Sequence, residues 1–222
     1  MIKGVIFDFD GVIVHSESLH EKAWIAVLQK KGFSLTKGQF LAGFGLKNER
    51  FIREILQLDV TDNEMRTIIE EKEALFQEII QKESIRAIEG VEKLIHMLVE
   101  KGFICAVGSS SIYSNIEIIL KKLNLFKYFQ AITSAEDVKE GKPSPEVFLR
   151  CAEKVGLPPE ECLVFEDAPL GIEAAKRASM QAVAITTTFP REVFEKLSYK
   201  PDRIIPRYED ISLEAGNFFN FN

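Results

Sequence analysis

The chain has 222 residues, 46% hydrophobic and 28% charged, a globular balance that allows one sizeable core or a core plus a small second domain and excludes disordered or collagen-like classes. A net charge of -6 argues against a nucleic-acid footprint, and the pairs Lys30-Lys31 and Lys121-Lys122 read as solvated helix faces. Three widely spaced cysteines, Cys105, Cys151 and Cys162, with no C-x-x-C pair, exclude a disulfide framework or zinc site and read as reduced thiols of a cytoplasmic protein.

The N-terminal MIKGVIFDFDG holds one lysine and a short apolar run interrupted by Asp8. It fits neither a signal peptide nor a membrane span, so a soluble intracellular protein is expected. Residues 3 to 8 read as a buried strand. From 17 to 82 the periodicity is helical: Leu19, Ala23 and Val27 recur at four-residue steps, and Met65, Ile68, Ile69, Leu75, Phe76, Ile79 and Ile80 mark another face. From about Glu89 helices and strands alternate. Helix 91–101 precedes FICAVGS, helix 112–124 precedes FQAITS, helix 145–155 precedes CLVFED, and helix 169–178 precedes QAVAIT, with a last strand at 203–205 and NFFNFN as a frayed or loosely docked end.

Such alternation predicts an α/β fold, a doubly wound parallel sheet covered by helices on both faces. Strand 3–8 belongs with that sheet by composition. Two domains follow: a Rossmann-like core of residues 1–14 and 86–222, and a helical insertion of residues 15–85.

In an open parallel sheet, ligands bind beyond the carboxyl ends of the strands, and there the polar residues cluster. Strand one ends in Asp8 and Asp10, FICAVG in Ser109-Ser110-Ser111, and CLVF in Glu166-Asp167, while Lys142 follows FQAITS. Bland readings exist for most of these. Serines after a strand, Ser144 before Pro145, and Asp167 before Ala168-Pro169 could all be helix caps, and a single lysine is usually solvated. The aspartate pair is harder to explain away, because side chains two apart on a strand share a face and nearby carboxylates repel unless a cation or proton lies between them. With Glu166 and Asp167 they form an oxygen-ligand set suited to Mg²⁺ and a substrate phosphate. Lys142, Ser109 and backbone N–H groups at a helix N-terminus could then meet the phosphate oxygens.

The segments DFDGV (8–12), VGSSS (107–111), GKPSPEVF (141–148) and FEDAPLGIEAAK (165–176) resemble, in order, the four motifs of the haloacid dehalogenase superfamily. The helical insertion resembles the cap of its β-phosphoglucomutase-like subgroup, and HSESLHEKAW is similar to that subgroup's first cap segment, His20 and Trp24 included. The resemblance implies that Asp8 is a nucleophile forming an aspartyl-phosphate and Asp10 the general acid and base. It assigns Mg²⁺ to the Asp8 carboxylate, the Asp10 carbonyl and Asp167, with Glu166 in the outer shell. It gives Ser109, the Ser110 N–H and Lys142 the phosphoryl group. Hinges are expected near Val14–Ser16 and Ser84–Ala87.

The implied activity is phosphatase action on a small phosphorylated metabolite, such as a sugar phosphate, by a monomer with no nucleic-acid or membrane partner. A phosphomutase is the alternative, and a non-catalytic phosphometabolite binder a less favoured third reading. The mutase reading is weakened because GFGLKNER places Asn48 where an arginine is expected to grip a second phosphate. Candidates for substrate contact from the insertion are His20, Phe44, Leu46, Lys47, Asn48 and Arg50. Trp24 and Phe9 are read as core residues.

Overall fold

The computed structural model describes residues 1–214 and 218–221, with side chains through 211. Six strands, β1 (Gly4–Phe7), β2 (Ile104–Gly108), β3 (Ala131–Thr133), β4 (Cys162–Glu166), β5 (Gln181–Ile185) and β6 (Arg203–Ile205), form one sheet in the order β3-β2-β1-β4-β5-β6. Every pairing is parallel. The order runs outward from β1 in both directions, so the sheet reverses between β1 and β4 and leaves a crevice beyond their carboxyl ends.

The strands are apolar throughout because both faces are covered. Val5, Phe7, Cys105, Val107, Phe165 and Val183 pack on one face with Leu94, Leu98, Ile116 and Leu120 of α5 (Val91–Glu100) and α6 (Tyr113–Lys122). Ile6, Ala106, Val164, Ala182 and Ala184 pack on the other with Val147, Phe148, Ile172 and Ala175 of α7 (Glu146–Lys154) and α8 (Pro169–Arg177). The expected α/β architecture is therefore the one observed. A short helix α9 (Arg191–Glu195) lies between β5 and β6; its sequence has too few turns to carry a periodic pattern.

Between β1 and α5, no strand element occurs among the described residues. The segment holds α1 (Glu17–Lys30), α2 (Lys37–Ala42), α3 (Asn48–Arg50) running into a π-helical stretch Phe51–Ile55, and α4 (Asp62–Lys82). Capping boxes Thr36/Gln39 and Thr61/Glu64 start α2 and α4 by satisfying backbone N–H groups that the first turn leaves free. Trp24, Leu28, Phe40, Phe51, Ile52 and Ile68 give this block an apolar cluster, which Ala168 of the sheet domain joins. The two chain passages joining block to sheet run side by side: Val14 bridges Ala87, His15 N–H donates to Arg86 O at 3.1 Å, and Ile88 N–H donates to Ile13 O at 2.9 Å.

Three local expectations are corrected. Helix α7 begins at Glu146 with Pro145 as its cap position, one residue later than a Ser144 cap would place it, and Ser144 Oγ accepts only a long 3.4 Å bond from Glu146 N–H. Asp167 does not cap α8, whose N-cap is Ala168 with no side-chain bond. Of the two readings of the NFFNFN end, fraying is overturned, since residues 218–221 pair antiparallel with Ile211–Glu214; Asn217 and Asn222 lie outside the described residues. Cys105, Cys151 and Cys162 are free and buried, and burial pushes the first two thiols up to about 12.

Candidate active site

Just beyond the ends of β1 and β4, Asp8, Glu166 and Asp167 bring one carboxylate oxygen each to within 4.8 Å of one another. Lys142, fully buried, reaches them from the loop after β3, with Nζ 2.8 Å from Asp8 Oδ1 and 2.6 Å from Glu166 Oε1. Glu166 Oε2 accepts the N–H groups of Asp167 and Ala168 at 2.6 and 2.7 Å. So Glu166, not Asp167, supplies the acceptor for the start of α8, and both its oxygens are engaged. Gly171 makes room for it, since a Cβ there would collide with Oε1.

Both oxygens of Asp167 are buried without a hydrogen bond of regular geometry among the described residues. A buried carboxylate in that condition is costly. Gly11, at φ +76°, lets the chain turn directly over Asp167, where any Cβ would strike Oδ2.

Burial, reinforced by Glu166 and Asp10 and opposed by Lys142, raises Asp8 to about 7. Burial together with the Glu166 and Asp8 charges raises Asp167 well above the carboxylate range. For Lys142, burial acts downward, but the Asp8 and Glu166 charges outweigh it and hold the lysine protonated. Three carboxylates and one lysine leave net negative charge, and the donors are all hard oxygens. The set fits a Mg²⁺ ion, which prefers carboxylates and retained water. Asp8 and Asp167 have the oxygens to hold it; Glu166 would act from behind through Lys142 and the α8 N–H groups.

This arrangement fixes a pH dependence. In the metal-free chain the folded state of Asp8 and Asp167 binds protons more tightly than the unfolded state, whose carboxyls titrate near 3.8. Stability is therefore highest below the unfolded value and falls as pH rises through the folded one. For Asp8 alone the shift to about 7 corresponds to on the order of 4 kcal/mol. Thermal melts in EDTA should fall between pH 5 and pH 8, and Mg²⁺ should flatten that slope; a pH-independent melt in EDTA would mean that the cluster does not carry this charge.

Asp10 stands apart from the cluster. Its Oδ1 accepts Ser16 Oγ–H at 2.5 Å and contacts His20 Nε2 at 3.1 Å, and its Oδ2 accepts Ser111 Oγ–H at 2.5 Å. Burial would raise it, but the His20 ring and the hydroxyls of Ser111 and Ser16 hold it well below the carboxylate range. Its side-chain oxygens are thus engaged by Ser16, His20 and Ser111, and it is not among the three carboxylates gathered at the end of β1 and β4.

A cleft of about 580 Å³, including its mouth, opens between Asp8, Asp10 and Ser109–Ser111 on the sheet side and His20, Trp24, Phe44, Asn48, Lys72 and Glu73 on the helical side. Ser109 is buried, its Oγ accepting Ser111 N–H at 3.0 Å, so a local turn role coexists with its place at the site. Ser110 Oγ–H donates across the cleft to Gly45 O at 2.7 Å. His20, a weak candidate by sequence, is central: Nε2 faces Asp10, Nδ1 lies 3.0 Å from Lys72 Nζ, and the ring stacks on Phe76. Because an ammonium can only donate, Lys72 Nζ–H donates to Nδ1, and Nε2–H donates to Asp10 Oδ1.

Lys47 and Arg50 lie elsewhere. Lys47 Nζ donates to Val138 O at 3.0 Å and Arg50 Nη1 to Lys142 O at 2.8 Å, along a second cleft outside the site. They latch the helical block to the sheet domain and do not face the Asp8 side. Trp24 is both a packed residue and part of the cleft wall, and Phe9 is fully buried.

A profile of the haloacid dehalogenase-like hydrolases matches residues 5–185. The chain belongs to this family. Among haloacid dehalogenase-like relatives, the fructose-1-phosphate phosphatase YqaB of Escherichia coli is 36% identical over 188 residues, 82% of this chain and 95% of that one. The phosphorylated carbohydrates phosphatase of Thermotoga maritima is 30% identical over 186 residues, 82% of this chain and 84% of the other. Among solved structures, β-phosphoglucomutase from Clostridium difficile superposes with a TM-score of 0.85 at 25% identity, covering 94% of this chain and 92% of that one. The last agreement fits the six-stranded haloacid dehalogenase-like core with its helical block described above.

No helix among the described residues is long and apolar enough to cross a membrane.

Proposed function

We propose that the chain is a Mg²⁺-dependent phosphatase that hydrolyses small phosphorylated metabolites of the sugar phosphate class through an aspartyl-phosphate. The observation that carries this reading is the buried set of Asp8, Lys142 and Asp167 at the sheet's switch point. The names of its relatives, sugar phosphatases among them, supply the substrate class. Asp8 attacks phosphorus, and Lys142 offsets the repulsion between that carboxylate and the incoming phosphate. Ser109 and the Ser110 N–H bind the transferring phosphoryl oxygens. Bound Mg²⁺ would neutralise phosphate charge beside Asp8 and Asp167.

Asp10 passes a proton to the leaving oxygen and later takes one from water. The bonds from Ser16, Ser111 and His20 that keep it ionised suit the second step. Ser16 sits on the passage into the helical block and His20 on its first helix, so a swing of that block about residues 14–16 and 84–87 would release them and raise Asp10's proton affinity for the first step. In this reading the block, residues 15–85, is a cap that closes over a core of residues 1–14 and 86–222, and the enzyme is a cytoplasmic monomer.

The phosphomutase reading, which the 25% identical mutase fold neighbour keeps in view, requires a cap cation for a second phosphate. Lys47 and Arg50 are committed to main-chain carbonyls outside the cleft, which weighs against it. Phosphate release from a panel of sugar phosphates, with Mg²⁺ and with EDTA, tests the choice. Mg²⁺-dependent release abolished by EDTA is expected; conversion of β-glucose 1-phosphate to glucose 6-phosphate with little free phosphate would overturn it in favour of a mutase.

A further inference from the structure

Helix α4 carries two adjacent charged residues that the chemistry above does not use and that burial makes expensive. Lys72 and Glu73 are 2% and 8% exposed, and both line the cleft opposite Asp8 and the serines. Unlike ordinary charged neighbours on a helix, they are held in a closed set of bonds. Lys72 Nζ donates to Glu73 Oε1 at 2.8 Å, Asn48 Nδ2–H donates to the same oxygen at 2.8 Å, and Asn115 Nδ2–H donates to Glu73 Oε2 at 2.6 Å. Asn115 belongs to α6 on the sheet side, so Glu73 ties the two walls of the cleft together.

The charge balance of the helical wall follows from these contacts. Its cleft-lining titratable groups are His20, Lys72 and Glu73. Lys72 is neutralised by Glu73, and His20 is directed at Asp10. Burial acts to raise Glu73, but Lys72 and His20 and the hydrogen bonds it accepts keep it below the ordinary carboxylate value. A buried carboxylate therefore lines the helical wall of the cleft, and the one cation beside it, Lys72, is already paired with it.

We propose that Glu73 is a specificity-determining residue that restricts the site to monophosphate esters with an uncharged, hydroxyl-bearing body and turns away substrates carrying a second phosphate or carboxylate. This rests on the phosphatase reading and names the substrate class within it. A hydroxyl can donate to Glu73 or accept from Lys72 or Asn48 at little cost in desolvation. A second phosphate brought to the same wall finds the Lys72 charge already committed to Glu73 and meets the Glu73 carboxylate in a dry setting, where repulsion is screened far less than in water.

Binding separates this inference from the catalytic one. In an Asp8→Asn background, which blocks turnover, calorimetry with Mg²⁺ compares a hexose monophosphate with the hexose bisphosphate that adds one phosphate to it, before and after Glu73→Gln. The monophosphate should bind at least about tenfold more tightly than the bisphosphate, and Glu73→Gln should shrink that ratio at least about tenfold by freeing the Lys72 charge. Lys72→Met, which leaves Glu73 unbalanced, should widen it, and this opposite sign guards against a Glu73 variant that fails to fold. If Glu73 merely anchored the two walls, both ligands would weaken together and the ratio would stay fixed. A fixed ratio, a bisphosphate preference in the parent, or no binding of the monophosphate overturns the proposal. Monophosphate turnover by the wild-type enzyme is scored separately: its absence sinks the phosphatase reading, while the binding ratio still judges Glu73.

Discussion

Replacing Asp8 by Asn should abolish phosphate release, by roughly 10⁴-fold or more, as loss of a covalent nucleophile does, while the folded metal-free protein becomes no less stable. The two halves have one cause. Asp8 is nearly isosteric with Asn, so packing around the 4% exposed side chain is retained. Burial and the neighbouring carboxylates make its charge unfavourable, as its rise to about 7 records. Lys142 keeps an ion pair with Glu166 at 2.6 Å, so the substitution does not strand a cation. In EDTA near pH 8 the variant should melt at or above the wild-type temperature, with a gain of a few degrees for each 1 kcal/mol of repulsion relieved. In Mg²⁺ the order should reverse, because the variant has lost a ligand. Wild-type turnover in the variant would show that no aspartyl-phosphate forms at residue 8, and a melt much below wild type in EDTA would mean that Asp8 is mainly structural.

The sheet and the strand-end residues were legible in the sequence because parallel strands buried on both faces are uninterrupted apolar runs, and a carboxylate or lysine ending such a run stands out. Val5-Ile6-Phe7 before Asp8 and Val164-Phe165 before Glu166 are of this kind. The fine geometry was not legible there. That Glu166 rather than Asp167 receives the N–H groups of α8 depends on how Gly171 and Gly11 let the backbone approach, which no local pattern encodes.

The residues around Asp10 from the helical block are the clearest omission. Ser16 lies six residues away and Lys72 sixty-two, with no motif joining them. Yet a signal existed for Lys72: Ile68, Phe76 and Ile80 are buried on α4, and residue 72 falls on the same four-residue step. A lysine on the apolar stripe of a helix is either an error of packing or a charge with a partner, here Glu73 and His20. The run EEKEAL conceals it, because four charged positions in sequence look like a solvated face until the period is counted. Lys47 and Arg50 are the opposite case: a glycine-containing loop after α2 suggested substrate contact, and the chain's path brings both side chains to carbonyls of the sheet domain.

Lys142→Met is the substitution that should cost the fold most among the site residues. Methionine matches the volume of the lysine stem, so the loss is electrostatic rather than a cavity. Lys142 is fully buried, lies between Asp8 Oδ1 and Glu166 Oε1, and sits 5.0 Å from the Phe148 ring centroid. Removing it leaves three carboxylates gathered within 4.8 Å and no cation among them. Breaking a buried pair in this way destabilises by about 3–5 kcal/mol, which for a protein of ordinary stability is a large fraction of the total. Urea denaturation in EDTA at pH 8 should show that loss as a lower midpoint with an unchanged slope. Acid should restore part of it, because protonating the cluster removes the repulsion, and so should Mg²⁺, which replaces the missing positive charge. Activity should stay depressed even under conditions where the fold recovers, since Lys142 also offsets the approach of phosphate to Asp8. Unchanged stability at pH 8 would mean that the cluster is protonated in the native state and that Lys142 is not its counter-charge; full activity would remove Lys142 from the catalytic set.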